Sequence, residues 1–143
     1  MVIMAIGLIG IAKLQITSNV YTESGLHRSQ ASSLALEIFE RMRVNTSEAK
    51  AGSYDIIALP TSTTNCEGSD AECTPTQIKD HDLRAWSSRI TTLLPGADAS
   101  ITTSPDNGKD PVDITITIEW DQSRGQRPAV SEAFTFRLMG LDS

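Results

Sequence analysis

The segment Met1–Ala12 reads M-V-I-M-A-I-G-L-I-G-I-A and contains no polar side chain. From Lys13 to about Val44 the sequence is polar on one side and apolar on the other. The first proline is Pro60, so no proline interrupts a helix over this stretch. We therefore predict one continuous helix about 65–70 Å long, at ~1.5 Å per residue. A domain of 143 residues cannot bury such a rod, so its first third is expected to lie in a membrane, against another protein, or in each in turn.

The apolar opening is shorter than a membrane-spanning helix requires. Twelve apolar residues precede Lys13, whereas ~20 are needed to cross a bilayer. The segment also lacks the basic start and the small-residue cleavage site of a secretory signal. We expect the hydrophobic segment to begin upstream of Met1, in a sequence that is truncated or has a misassigned start codon. The alternative is a buried helix of a soluble protein.

A one-sided apolar pattern follows between Ala31 and Met42, where apolar residues recur at helical spacing. Such a stripe is typical of a helix that packs on a sheet. The segments Val112–Trp120 and Ala129–Leu138 alternate between apolar and polar residues, as half-buried antiparallel strands do. We predict an α+β fold in which the helix packs on a three- to four-stranded antiparallel sheet. The predicted helix-on-sheet core consists of Leu34, Ile38, Met42, Ile114, Ile116 and Ile118.

The chain is predicted to divide into an N-terminal helix, residues 1–48, and a globular head, residues 49–143. The head begins with a long connection that contains a short strand at Tyr54–Leu59. A short amphipathic helix, Asp80–Leu94, follows it, with Asp80 or Asp82 as the N-cap. Trp86 lies on the apolar face of this helix and is expected in the core.

The two cysteines, Cys66 and Cys73, flank a short polar loop. This pattern favours a disulfide in an oxidising compartment. A zinc site is the competing interpretation, but neither histidine of the chain lies at zinc-like spacing from the cysteines.

Charge and motifs argue against catalysis and against nucleic-acid binding. The net charge is −6 and the basic residues are scattered, whereas phosphate binding needs clustered Lys and Arg. No phosphate-binding loop, H-E-x-x-H or G-x-S-x-G motif occurs. His27 and His81 are interpreted as solvated surface residues, and Glu37 with Arg41 as an outward-facing i,i+4 pair. We expect no enzymatic activity, no cofactor and no metal.

Four segments carry a resemblance to a known family. Their order and spacing along essentially the whole chain are similar to those of type IV pilus minor pilins of the PilV-type, pilus modification or assembly, group. The segments are M-A-I-G-L-I-G-I-A-K-L-Q (Met4–Gln15), S-Q-A-S-S-L-A-L-E-I-F-E-R-M-R-V-N (Ser29–Asn45), D-L-R-A-W-S-S-R-I-T-T-L-L-P-G (Asp82–Gly96) and D-I-T-I-T-I-E-W (Asp113–Trp120).

The resemblance implies a ladle-shaped, non-enzymatic protein that primes pilus assembly near the tip. It implies a single-pass inner-membrane form with the head in the periplasm and an assembled form in the extracellular pilus, which serves adhesion and twitching motility. The implied partners are other minor pilins, the major pilin and a tip-associated adhesin. The expected membrane and filament contacts are Val2, Ile3, Ile6, Leu8, Ile9 and Ile11.

The sequence departs from the family pattern at its start, because the basic leader, its terminal glycine and the glutamate that follows are not present. No processing residue is therefore transferred. Two alternatives stay open. One is a minor pseudopilin of a type II secretion system, which shares the architecture. The other is a membrane-anchored periplasmic binding domain that never enters a filament.

Overall fold

The computed structural model describes residues 2–68, 72–105, 110–125 and 127–139, and for residues 2–10 and 16–21 it describes the backbone alone. The architecture is α+β, with helices packed on an antiparallel sheet of three strands. The elements within the described ranges are α1 (Val2–Val44), α2 (Thr46–Lys50), α3 (Pro75–Leu93), β1 (Asp98–Ser104), β2 (Val112–Trp120) and β3 (Val130–Leu138).

The sheet is a simple meander in the order β1-β2-β3, and β2 is its centre. Ile116 lies opposite Ile101 on β1 and opposite Phe134 on β3. Alternate residues of β2 are buried, because successive side chains of a strand point to opposite faces of the sheet. The segment predicted as a short strand near Tyr54 forms a single bridge instead, between Ile56 and Ile101.

The core lies between the inner face of the sheet, α1 and α3. The ring of Phe39 on α1 stacks on that of Phe136 on β3 at a centroid distance of 4.6 Å. The indole Nε1 of Trp86 donates a 2.8 Å hydrogen bond to the backbone oxygen of Leu34, which joins α3 to α1. Trp86 is fully buried, as expected for a core residue. The core positions named from the sequence all have 2% exposure or less: Leu34, Ile38, Met42, Ile114, Ile116 and Ile118.

Helix α3 begins five residues before its predicted start. Thr74 is its N-cap and forms a capping box with Gln77, in which each side chain accepts a hydrogen bond from the other residue's backbone N–H. Pro75 occupies the first helical position, where a missing N–H costs nothing. The prediction that Asp80 or Asp82 caps the helix is therefore wrong, since both lie inside it.

The cysteines form the predicted disulfide between Cys66 and Cys73. The loop before it is attached to α3 by two hydrogen bonds. The backbone N–H of Cys66 donates to Nδ1 of His81 at 3.1 Å, and Nε of Arg84 donates to the backbone oxygen of Thr64 at 2.8 Å. The His81 side chain is only 12% exposed, so the interpretation of His81 as a solvated residue is wrong.

Candidate functional site

Two polar clusters lie between α1 and the rest of the head. The first, which we call the Asp82 network, consists of Arg41, Asn45, Tyr54 and Asp82. Asp82 accepts hydrogen bonds from Arg41 at 3.1 Å and from the hydroxyl of Tyr54 at 2.8 Å. The amide nitrogen of Asn45 donates to Tyr54 Oη at 3.2 Å and to the backbone oxygen of Pro75 at 2.8 Å. The network therefore joins the end of α1, the following connection and α3.

Electrostatics reinforce the network. Burial raises the pKa of the Tyr54 hydroxyl, Asn45 lowers it, and Asp82 raises it further, so the hydroxyl stays protonated as a donor. Desolvation lowers the pKa of Arg41, but its hydrogen bonds and charge interactions with Asp82 and Glu37 outweigh that effect and raise it. The charges are thus held in fixed pairs, which suits a structural role.

The placement of Glu37 and Arg41 corrects their interpretation as an outward-facing pair. Their 3.2 Å ion pair is present, but Arg41 also binds Asp82, and Glu37 also binds Arg89 at 2.7 Å. Both side chains therefore face α3. One sequence signal was available: Asp82 lies four residues before Trp86, so the two share a helix face.

The second cluster, which we call the His27 cleft, lies between α1 and the β2–β3 loop. Its volume is about 210 Å³. Its walls come from two parts of the chain that are nearly one hundred residues apart, and Ser24 Oγ links them by donating to Gln122 Oε1 at 3.4 Å. The lining residues are Glu23, Ser24, His27, Gln122, Ser123, Arg127, Pro128 and Val130.

Buried polar atoms in the His27 cleft lack the partners that the Asp82 network has. His27 is only 9% exposed, so its interpretation as a solvated residue is wrong. Its Nδ1 and the Nε2 of Gln122 are buried and have no hydrogen-bond partner in the described part of the protein. The same is true of Nε1 of Trp120 and of Oε1 of Gln30, neither of which lines the cleft. Buried polar groups in folded proteins are nearly always paired, so this cluster is unusual.

The β2–β3 loop is held in shape by Asp121. Its carboxylate accepts hydrogen bonds from the backbone N–H of Ser123 at 2.7 Å and of Gly125 at 2.5 Å. The backbone hydrogen bond from Ser123 is the largest effect on the pKa of Asp121 and, with that from Gly125, lowers it against opposing desolvation. Arg124 and Gly125 both have positive φ, 53° and 81°, which turns the chain sharply. The turn leaves Arg124 and Arg127 exposed beside the cleft.

The outer face of α1 carries exposed apolar side chains. Ile11, Leu14 and Leu36 are 56%, 73% and 49% exposed. At about 100° of rotation per residue, these three positions fall within about 60° of one another and opposite Ile38, which is buried. The other contact residues named from the sequence have side chains outside the described residues: Val2, Ile3, Ile6, Leu8 and Ile9.

In the residues that the structure describes, no helix has an apolar stretch of the length needed to cross a bilayer. Over the same residues, no group of three or more His, Cys, Asp or Glu side chains could hold a metal ion.

Comparison with known proteins gives one family. The family model described as Tt1218-like, type IV pilin Tt1218, matches residues 13–84, just over half of the chain. The match begins at the end of the apolar opening and extends to the middle of α3. No curated protein and no solved structure matches the chain significantly.

Proposed function

The chain belongs to the Tt1218-like family of type IV pilins, and we propose that it is a PilV-type minor pilin that primes assembly of the pilus and lies at or near its tip. Family membership supports a structural role and association with other pilins in a pilus. The finer assignment is supported by the resemblance of four segments to PilV-type minor pilins, of which Ser29–Asn45 and Asp82–Gly96 are the most specific.

One observation of the molecule carries the proposal: α1 carries exposed apolar side chains on the side opposite its core face. The face with Ile38 and Met42 lies in the core of the head. The face with Ile11, Leu14 and Leu36 is exposed to solvent in the single chain. Large exposed apolar surface on a helix is costly in water and is typical of an assembly surface. A subunit that packs its helix against other helices would cover that face.

We extend the proposal to the organisation of the chain. Residues 1–48 form the handle of a ladle and residues 49–143 its bowl, with the second half of the helix packed on the sheet. Before assembly the handle is held in the inner membrane and the head lies in the periplasm. On assembly the helix moves from lipid to a bundle of helices in the extracellular pilus, where shape and a few polar groups select its neighbours. These neighbours are other minor pilins, the major pilin and a tip-associated adhesin.

The test is a deletion strain complemented with the full-length gene, in which pili are counted and measured by electron microscopy. A subunit that primes assembly acts on the number of filaments, because elongation does not need it. We expect the deletion to leave far fewer pili of unchanged length, and immunogold label on the chain to lie at filament ends. Normal numbers of pili, or label along whole filaments, would contradict priming at the tip. Loss of protein secretion with normal pili would favour a type II secretion pseudopilin.

A matched pair of substitutions tests the role of the opening helix. Ile6→Asp places a charge in the apolar opening, where it opposes contact with lipid or with other helices. Ile57→Asp makes the same change at a head position that is 97% exposed. We expect Ile6→Asp to abolish piliation and Ile57→Asp to leave it normal. Circular dichroism melting of both variants should match the unaltered protein, which separates an assembly defect from unfolding.

A further inference from the structure

We propose that His81 is a pH-sensitive switch, which holds the disulfide loop on α3 while its ring is neutral and releases the loop when the ring is protonated. The disulfide loop is the stretch of residues 64–73 that contains the Cys66–Cys73 bond. The switch is independent of the role of the chain in a pilus.

The hydrogen bond from Cys66 decides which ring nitrogen of His81 carries the proton. The backbone N–H of Cys66 donates to Nδ1 at 3.1 Å, and a backbone N–H cannot accept, so Nδ1 is the acceptor and carries no proton. Nη2 of Arg84, which is also a donor, lies 3.4 Å from the same nitrogen. The proton of the neutral ring is therefore on Nε2.

Protonation of the ring removes the acceptor that the loop uses. Both nitrogens of a protonated histidine are donors, so the N–H at Nδ1 would point at the N–H of Cys66. The new charge would also lie beside the guanidinium of Arg84, and a like charge disfavours the charged form of the ring.

The sign of the pH dependence follows from these contacts. The attached loop needs a neutral ring, whereas the released loop leaves Nδ1 free to bind a proton. The released state therefore binds more protons, and attachment is stable above the range in which histidine titrates and is lost as the pH falls through it. Histidine side chains ordinarily change charge between about pH 5 and about pH 8.

The other charged groups around His81 oppose this effect only weakly. Oε1 of Glu67 lies 4.0 Å from Nε2 and attracts a protonated ring, but the Glu67 side chain is 73% exposed and water screens the attraction. Lys79 and Asp80, directly before His81 on α3, pair with each other at 2.8 Å. The carboxylate of Asp82 accepts its hydrogen bonds within the Asp82 network.

Release of the loop would change the surface at this end of the head. The His81 side chain is only 12% exposed, and Cys66 lies against it. Arg84 contacts the same loop, since its Nε donates to the backbone oxygen of Thr64 at 2.8 Å. In acid, a protonated His81 and Arg84 would become exposed side by side, so α3 would present a positive patch that the loop covers at neutral pH.

The experiment follows the amide hydrogen of Cys66 by NMR in the full-length chain, held in detergent micelles. Its rate of exchange with water is divided by the intrinsic rate at the same pH, which gives a protection factor. We expect this factor to fall about tenfold from about pH 8 to about pH 5, as for the loss of one hydrogen bond. The amide of Ile101, which donates to the backbone oxygen of Ile56 at 2.9 Å, should keep its protection. Unchanged protection of Cys66 would overturn the proposal.

Substitutions at the two histidines separate the switch from a general effect of acid. His81→Asn keeps an acceptor oxygen in place of Nδ1 but does not titrate, so Cys66 should stay protected at both pH values. His81→Leu has no acceptor, so protection should be low at both. The matched control is His27→Leu, at the other histidine of the chain, which should leave the fall unchanged. A fall in His81→Asn, high protection in His81→Leu, or no fall in His27→Leu would each contradict the assignment.

The tautomer of His81 gives a test that needs no substitution. The nitrogen NMR signals of an imidazole distinguish a bare nitrogen from one that carries a proton. At about pH 8, where histidine is neutral, Nδ1 of His81 should be bare and Nε2 should carry the proton. The opposite tautomer would overturn the proposal, because Nδ1 could not then accept from Cys66.

Discussion

The Asp82 network and the His27 cleft both border α1. On that helix His27 and Arg41 are about 21 Å apart at ~1.5 Å per residue. The two clusters differ in whether their buried polar atoms have hydrogen-bond partners. In the network, Arg41, Asn45, Tyr54 and Asp82 each take part in two hydrogen bonds, and all but that of Arg41 to Glu37 join different parts of the chain. Beside the cleft, Nδ1 of His27 and Nε2 of Gln122 are buried and lack partners among the described residues.

The difference separates a cluster that stabilises the fold from one that does not. A buried polar group without a partner costs about 1–3 kcal/mol, and the network shows that this fold can satisfy such groups. We infer that the network stabilises the isolated subunit, whereas the unpaired atoms beside the cleft do not. Four predictions test this comparison, from the largest expected effect to the smallest.

Asp82→Leu should cause the largest loss of stability. The substitution leaves Arg41 and Tyr54 each without one buried partner, and we expect the free energy of unfolding to fall by about 3 kcal/mol. Urea denaturation followed by tryptophan fluorescence measures it, because Trp86 and Trp120 are fully buried. Glu40→Leu, at an exposed ion pair, is the control and should change stability by about 0.5 kcal/mol or less. Equal effects of the two substitutions would show that the network is not a stabilising cluster.

Loss of the disulfide, at the same end of the head, should lower the stability less than Asp82→Leu does. Closing a short loop stabilises a fold by at most about 2.5 kcal/mol on the chain-entropy model. The loop before it is also attached to α3 through His81 and Arg84. We expect the Cys66→Ser, Cys73→Ser double variant to stay folded, with a lower melting temperature. Intact-mass measurement without reductant should show the unaltered protein two protons lighter than its reduced form. Failure of the double variant to fold would show that the Asp82 network alone does not stabilise the end of the head that contains the disulfide loop.

His27→Leu should change stability in the opposite direction to Asp82→Leu. Replacing the imidazole by an apolar side chain removes a buried unpaired nitrogen, so stability should be unchanged or should rise by up to about 1 kcal/mol. A loss of stability like that of Asp82→Leu would mean that His27 has a partner within its own chain.

Acidification should loosen the β2–β3 loop without unfolding the head. Backbone hydrogen bonds lower the pKa of Asp121 in the folded protein. The stabilisation is therefore present above the ordinary aspartate pKa of about 3.9 and is lost as the pH falls through the lower, folded-state value. The amide NMR signals of Ser123 and Gly125 should move together below about pH 4. Asp121→Asn should abolish this titration, and a midpoint at or above the ordinary value would contradict the hydrogen-bonded loop.

The strands and the core face of α1 were predictable because regular elements repeat their side-chain directions. Alternation gave β2 its bounds, Val112–Trp120, and helical spacing identified Ala31, Leu34 and Ile38 as a buried stripe. The start of α3 was missed because Asp80 and Asp82 resemble N-caps as well as Thr74 does. The Gln77 that completes the capping box was the overlooked signal.

The sequence by itself determined which faces are apolar, that an antiparallel sheet follows a long helix, and that Cys66 and Cys73 can close a loop. Periodicity and short-range spacing carry that information. Only the tertiary structure decided which polar residues meet. Asp82 receives its donors from 28 and 41 positions away, and Ser24 meets Gln122 across 98 positions. The packing of apolar surfaces brings such distant residues into contact. A hydrogen bond requires its two atoms to lie within about 3 Å, and no local sequence pattern encodes that distance.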